Sequence, residues 1–151
     1  MTRLLLYITF IFTMVTSLAA AETIEHGPLR LDDARIRMAV PGANVTAAYV
    51  TITNTGSQAE YLLGAETEIA RRVEIHRMEM SGDVMRMRPL GEPLEIKPGE
   101  TVTLEAGGLH LMLMDLTQRK KKGETAPLSL VFEHAGKIRL NAPVVAMGHG
   151  H

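Results

Sequence analysis

The sequence predicts an all-β protein, folded as a Greek-key β-sandwich or a small barrel. Three observations favour this class: short alternating or β-branched runs recur, turns with Gly or Pro separate them by about ten residues, and no window of about eleven residues shows a helical period. The predicted strands cover residues 29–40, 47–53, 61–65, 72–80, 84–90, 94–96, 101–104, 110–116, 127–133 and 137–145.

Turn residues justify the breaks between these strands. Pro41-Gly42 ends the first run, and Asn54-Thr55-Gly56 follows the second, with an Asn and a Gly that tolerate a positive φ. Ser81-Gly82-Asp83 predicts a three-residue turn between two alternating strands. Residues 65–72 have room for one helical turn at most. The basic run Arg119–Lys122 is interpreted as a solvated hairpin turn, with partner docking as the alternative.

Composition excludes several classes of protein. A chain of 151 residues suits one domain, and the absence of cysteine excludes disulfide scaffolds, thiolate zinc sites, iron–sulfur clusters and blue-copper centres. The 16 basic and 17 acidic residues nearly cancel, and aromatic residues make up 4% of the chain. Neither value favours nucleic-acid binding, so no nucleic-acid partner is expected.

Residues 1–21 have the order of a secretory signal peptide. A short positive start at Met1-Thr2-Arg3 precedes an apolar stretch, and the segment ends in small residues. We expect cleavage after Ala21, with Ala19 as the alternative site, and export to the periplasm. The apolar stretch is short for a transmembrane helix, although an uncleaved anchor is the alternative. No membrane span is expected after cleavage.

Methionine is concentrated in one part of the chain. Six of the 10 methionines lie with two histidines between His76 and Met114. Residues two apart in a strand face the same side of a sheet. Three predicted strands therefore carry one-sided rows: His76, Met78 and Met80; Met85 and Met87; and His110, Met112 and Met114. The rows converge on one patch if these strands are neighbours.

Such a patch favours a soft metal ion. Thioether sulfur is soft and uncharged, so it selects Cu(I), whereas zinc, calcium and magnesium prefer other ligands. Neutral imidazole adds nitrogen donors and makes binding depend on pH. The alternative interpretation is that strand methionines fill gaps in the core and that each His is a structural hydrogen-bonding residue. The repeated His-x-Met pattern, at His76 and at His110, weighs against it.

With these motifs the chain resembles the periplasmic copper chaperones of the PCu(A)C type, over residues 33–145. The resemblance includes Pro41-Gly42 and the stretches AAY, ITNTG, VEIH, MRMRP and LEAGGLHLMLM. The family signature is a His, ten residues, a Met, about twenty-one residues, then His-x-Met. This chain has His76, Met87 and then His110-Leu111-Met112, with one extra residue in the second interval. Two departures are Arg35, where an aromatic residue is common, and Leu109, where Tyr is common.

The resemblance implies a cupredoxin-like β-sandwich that holds Cu(I) and catalyses no reaction. Carried over residue by residue, the metal ligands are His76, Met87, His110 and Met112. At least two of Met78, Met80, Met85 and Met114 then serve packing or support the ligands. The implied partners are the copper-bearing subunit of cytochrome c oxidase, whose dinuclear centre receives the copper, and a thioredoxin-like copper chaperone. A monomer is expected.

The expected organisation is a signal peptide over residues 1–21, a copper-binding β-sandwich over 22–146 and a flexible His/Met tail over 147–151. The tail contains Met147, His149 and His151 between glycines, so it is a candidate for binding Cu(II) or for adding to the main site. An incidental terminus is the alternative. Two other functions remain open for the whole protein: copper storage or detoxification, and a copper redox protein.

Overall fold

The computed structural model describes residues 22–146. The predicted signal peptide, residues 1–21, and the predicted tail, residues 147–151, lie outside the described residues. All of the regular secondary structure in the described residues is β-strand, which confirms the all-β prediction. The strands are β1 (Ile24–His26), β2 (Leu29–Arg37), β3 (Val45–Asn54), β4 (Glu60–Thr67), β5 (Ala70–Ser81), β6 (Val84–Pro89), β7 (Leu94–Ile96), β8 (Thr101–Leu104), β9 (Leu109–Leu116), β10 (Thr125–Phe132) and β11 (Gly136–Val145).

The strands form a continuous path in the order β6-β5-β9-β3-β2-β11-β10-β4-β7, with β1 on β2 and β8 on β3. Strand β11 connects the two layers of the sandwich. It pairs antiparallel with β10 along its length, and its last residues, Val144 and Val145, pair parallel with Ile36 and Arg37 of β2. One layer therefore contains β5, β6, β9 and β3, and the other contains β10, β4 and β7.

Alternation along the strands explains why both layers share one core. In β9, Leu111 and Leu113 are fully buried, whereas Met112 and Met114 on the opposite side are only half-buried. The same alternation buries one side of β10 and of β11. The largest fully buried side chains come from both layers: Phe132, Leu29, Leu31, Ile36, Ile52, Leu62, Ile96, Leu104, Leu111, Leu113, Leu128 and Leu130.

Three local predictions differ from the structure. Residues 65–72 hold the tight turn between β4 and β5 and no helical turn. The basic run Arg119–Lys122 is not a hairpin turn, because it lies between β9 and β10, which belong to different layers and do not pair. The turn between β5 and β6 has two residues, since β5 continues to Ser81 and β6 begins at Val84.

A buried carboxylate stabilises the layer of β10, β4 and β7 at the end where β4 begins. Glu60, at the start of β4, is 3% exposed. Its Oε1 accepts hydrogen bonds from the backbone N–H groups of Tyr61 and His134, at 2.9 and 3.0 Å, and lies 3.1 Å from Nδ1 of the His134 ring. Its Oε2 accepts from the N–H of Ala135 at 2.9 Å. The side chain therefore ties β4 to the turn that joins β10 to β11.

Candidate metal centre

The outer face of the first layer brings the predicted His and Met rows together. Strands β6, β5 and β9 are adjacent in the sheet, which is the condition for the three rows to converge on one patch. His76 of β5 lies directly opposite His110 of β9, and Met78 of β5 lies directly opposite Met87 of β6. Directly opposed residues of antiparallel strands share a face. All three rows therefore occupy the same side of the layer, away from the core.

The two histidine rings form the inner end of this arrangement. Their centroids are 6.0 Å apart and their planes are tilted by 55°. His76 is 9% exposed and His110 is 4% exposed, so both imidazoles are largely removed from water. Burial lowers the pKa of His110, and the neighbouring His76 lowers it further, while the Gly108 carbonyl acts in the opposite direction. The net direction favours a neutral ring with a lone pair available for a metal.

Hydrogen bonds determine which ring nitrogens are free. Nε2 of His76 lies 3.0 Å from Oε2 of Glu74, and since a carboxylate accepts, Nε2 donates to it. The remaining nitrogen of that ring, Nδ1, is buried and has no hydrogen-bond partner among the described residues. His110 has the other arrangement, because its Nδ1 donates to the carbonyl oxygen of Gly108 at 3.2 Å and leaves Nε2 free. A buried nitrogen without a partner is costly in an apo protein and suits a metal ligand.

An open cleft of about 240 Å³ lies beside the rings. His110, Met112, Met87 and Met78 are among the residues that line it, while His76 is not. Thus three of the four sequence-predicted ligands share the cleft, and the ring of the fourth, His76, is centred 6.0 Å from the His110 ring. Met112 and Met78 are half-buried, whereas Met87 is 44% exposed at the rim.

Small residues make room for the cleft. Ala47 of β3 lies directly opposite Met112, so the position beside Met112 carries only a methyl side chain. On the other flank, the turn with Ala106 and Gly107 precedes β9, and Gly107 adopts a φ of 87°, which favours glycine. The Gly108 carbonyl in this turn accepts from the N–H of Met78 at 3.2 Å as well as from His110. This turn therefore positions the His110 ring against β5.

A β-bulge in β2 lies next to Tyr49, one of the residues that line the cleft. Strand β2 has one extra residue between Asp32 and Arg35, and Asp33 takes a φ of 54° there. Arg35 is thereby placed opposite Tyr49, with its guanidinium carbon 5.2 Å from the centre of the Tyr49 ring. The Arg35 guanidinium therefore lies within cation–π distance of the Tyr49 ring.

The remaining methionines are not core residues. Met80 and Met85 are exposed at the end of the β5–β6 hairpin. Met114 is half-buried on the outer face, with its sulfur 4.0 Å from an Arg72 nitrogen. Packing in the core is therefore the wrong interpretation for all of the methionines in β5, β6 and β9. Met38, outside the predicted cluster, also lines the cleft.

Sequence reasoning missed Glu74 as a contact of the site. Its position two residues before His76 places it on the same face of β5, so strand alternation was the available signal. Glu74 also lies opposite Met112 and forms a 3.6 Å ion pair with Arg72. Among residues 22–146 no three His, Cys, Asp or Glu side chains come together as a possible metal site. Thioethers are needed to complete one here.

Comparisons with known proteins show the family to which the chain belongs. The family model "LpqE-like: Putative lipoprotein LpqE-like" matches residues 29–144. The protein "Putative lipoprotein Lxx21020" of Leifsonia xyli subsp. xyli (strain CTCB07) is 28% identical over 103 residues, which are 68% of this chain. The match spans 62% of that relative's length. In the described residues no helix is long and apolar enough to cross a membrane.

Solved structures show the same fold. The copper-bound PCuAC domain from PmoF2 has a TM-score of 0.71 at 23% identity, covering 83% of this chain and 99% of that domain. The solution structure of CuI-DR1885 from Deinococcus radiodurans has a TM-score of 0.61 at 30% identity, covering 85% of this chain and 83% of that one. The predicted cupredoxin-like sandwich is therefore confirmed. Since the family match includes both layers and every candidate ligand, the chain belongs to the LpqE-like family and has the fold of the PCuAC domains.

Proposed function

We propose that this protein is an exported metallochaperone that binds one Cu(I) ion at His76, Met87, His110 and Met112 and passes it to a partner. The observation that carries the proposal is the pair of buried imidazoles, one with an unpartnered Nδ1 and with ring centroids 6.0 Å apart, beside a cleft whose lining includes Met87 and Met112. Two neutral nitrogens and two thioethers form a soft, uncharged donor set. The solved structure of CuI-DR1885, which is 30% identical to this chain, is a Cu(I) form and supports the choice of metal.

The position of each ligand suits transfer. The two imidazoles are held in place by Glu74 and by the Gly108 carbonyl, so they form the fixed side of the site. Met87 lies at the open rim and is the ligand that an incoming donor can replace first. Stepwise replacement of exposed neutral ligands allows tight binding and release on contact with a partner. No charged side chain has to leave the metal.

We further propose the destination and the compartment. The resemblance to periplasmic copper chaperones supports the dinuclear copper centre of cytochrome c oxidase as the acceptor, reached directly or together with a thioredoxin-like chaperone. The lipoprotein description of the relative and the signal-like order of residues 1–21 support export. The protein is proposed to move copper without catalysing a reaction.

Copper transfer tests the proposal. The purified protein is titrated with Cu(I) under anaerobic reducing conditions against a chromophoric Cu(I) chelator, and the loaded protein is then mixed with an apo oxidase copper domain. We expect binding that withstands the chelator, followed by transfer. Binding without transfer would favour storage or detoxification, and no binding would contradict the proposal as a whole.

A separate prediction concerns Glu74. Its carboxylate keeps the proton of His76 on Nε2, so Glu74→Ala should release that ring and weaken Cu(I) binding by about tenfold, within the range of about 10- to 100-fold for partners of metal ligands. Glu74→Gln retains an acceptor oxygen and should recover most of the affinity. Long-range ¹H–¹⁵N NMR spectra of the His76 ring should show copper on Nδ1 in the wild type and in Glu74→Gln.

Arg72→Ala is the matched control, because it removes the ion pair to Glu74 and leaves the contact between Glu74 and His76 in place. Its Cu(I) affinity should stay close to that of the wild type. Copper on Nε2 of His76 in the wild type would contradict the role assigned to Glu74.

A further inference from the structure

The β5–β6 hairpin carries a second pair of thioethers beyond the cleft. Met80 lies directly opposite Met85, one step farther out than the pair of Met78 and Met87. Successive same-face positions along a strand are about 7 Å apart. Directly opposed side chains have Cβ atoms about 5 Å apart, so the two sulfur atoms of a pair can reach a common ion.

Packing does not account for this outer pair. Met80 is 64% exposed and Met85 is 55% exposed, and every residue of β6 is exposed. The other face of the hairpin has the composition expected of a solvated strand, with Arg77 opposite Arg88 and Glu79 opposite Arg86. One face of an exposed hairpin is therefore made of thioethers, while the other is charged.

The ligand chemistry of the outer pair is restricted. The four opposed positions Met78, Met80, Met85 and Met87 carry no carboxylate or imidazole, because the charged residues of the two strands occupy the alternate positions. The carboxylate of Asp83 belongs to the two-residue turn beyond them. A site without charged or nitrogen donors discriminates against hard cations and favours soft ions, among which Cu(I) is the one that thioethers select. Two thioethers in water bind such an ion more weakly than two thioethers with two buried imidazoles.

We propose that Met80 and Met85 form a second, weaker site for a soft monovalent cation, one step outside the cleft. An ion held there lies about 7 Å along the strands from the Met78 and Met87 pair, which lines the cleft. The outer pair thus provides a first binding position for arriving metal and a last one for departing metal. The cellular identity of the ion, Cu(I), rests on the proposed function, whereas the existence of the site does not.

The test is an anaerobic titration of the purified protein, labelled with ¹³C at the methionine methyl groups, first with Ag(I) and then with Cu(I). The first equivalent should shift the methyl signals of Met87 and Met112. The second equivalent should shift those of Met80 and Met85. Met80→Leu/Met85→Leu keeps apolar side chains of similar size and should lose the second equivalent while it retains the first.

Met114→Leu is the matched control, since it removes a thioether from the same outer face where the opposing residues are Val45 and Arg72. It should bind both equivalents. The proposal is overturned if the wild type takes only one equivalent, or if the second equivalent persists in Met80→Leu/Met85→Leu and shifts other signals. Failure of the first equivalent to shift Met87 and Met112 contradicts the proposed function instead, whatever happens at the outer pair.

Discussion

Replacing His110 and Met112 together by alanine is expected to reduce Cu(I) affinity by at least about a hundredfold. Changes to residues that merely support metal ligands cost about 10- to 100-fold, and this variant removes two donors from the cleft itself. His76 and Met87 would remain, but a two-donor site cannot compete with a strong chelator. The dissociation constant from competition with a chromophoric Cu(I) chelator measures the effect. The quadruple variant that also replaces His76 and Met87 should not bind measurably.

A control must remove the same residue types elsewhere. His26→Ala/Met114→Ala does so, because His26 is exposed in β1 and Met114 lies outside the cleft lining. Its affinity should equal that of the wild type, and circular dichroism should show the same β content for all variants. Wild-type affinity in the quadruple variant would refute the ligand assignment.

Loss of the Glu60 carboxylate is expected to lower the free energy of unfolding by about 3 kcal/mol, the upper end of the range for leaving buried donors without a partner. Glu60→Ala orphans the backbone N–H groups of Tyr61, His134 and Ala135 together with the His134 ring contact. Glu60→Gln should lose less, since one acceptor oxygen remains. Urea denaturation at pH 7 measures both. Because Glu60 does not line the metal cleft, Cu(I) affinity should be unchanged in the folded variants.

The same carboxylate makes stability depend on pH. Burial alone would raise the pKa of Glu60, but hydrogen bonds from the His134, Tyr61 and Ala135 backbones and from the His134 side chain outweigh it and hold the pKa below its usual value of 4.5. When a carboxyl has a lower pKa in the folded state than in the unfolded state, its ionised form stabilises the fold at any pH above the unfolded-state pKa. This contribution is lost as the pH falls through the folded-state pKa. The stability difference between the wild type and Glu60→Ala should therefore narrow below about pH 4.5. A difference that stayed constant down to pH 3 would rule out this origin.

Much of the metal centre follows from strand periodicity. His76 and Met78 are two residues apart in one strand, as are His110 and Met112 in another. Residues two apart in a strand share a face, so the sequence alone predicts these pairs. That β5 and β9 are neighbours does not follow from any local pattern, because the pairing joins distant parts of the chain. The resemblance to a known family provided the expectation that they meet.

Other features had no local signal. Glu60 is a single acidic residue at the start of a strand, and its burial depends on the arrival of the turn that contains His134. The run Arg119–Lys122 has the composition of a hairpin turn, yet its flanking strands lie in different layers. Turn chemistry describes a bend in the chain but does not specify which sheet the next strand joins. Strand β1, Ile24–His26, has a single apolar residue, so it shows no alternation from which it could be predicted.

The position of β11 has a consequence for how the protein folds. This strand pairs with β10 in one layer and with β2 in the other, although β2 precedes it by most of the length of the domain. Contacts between residues so far apart in sequence slow folding, because a long loop must close before they contribute. A growing chain can form its hairpins early, but the pairing that joins β11 to β2 must wait until residues 144 and 145 are available. Until then this edge of β2 lacks its partner, and unpaired strand edges promote aggregation, so early completion of β11 shortens the time for which the chain needs protection.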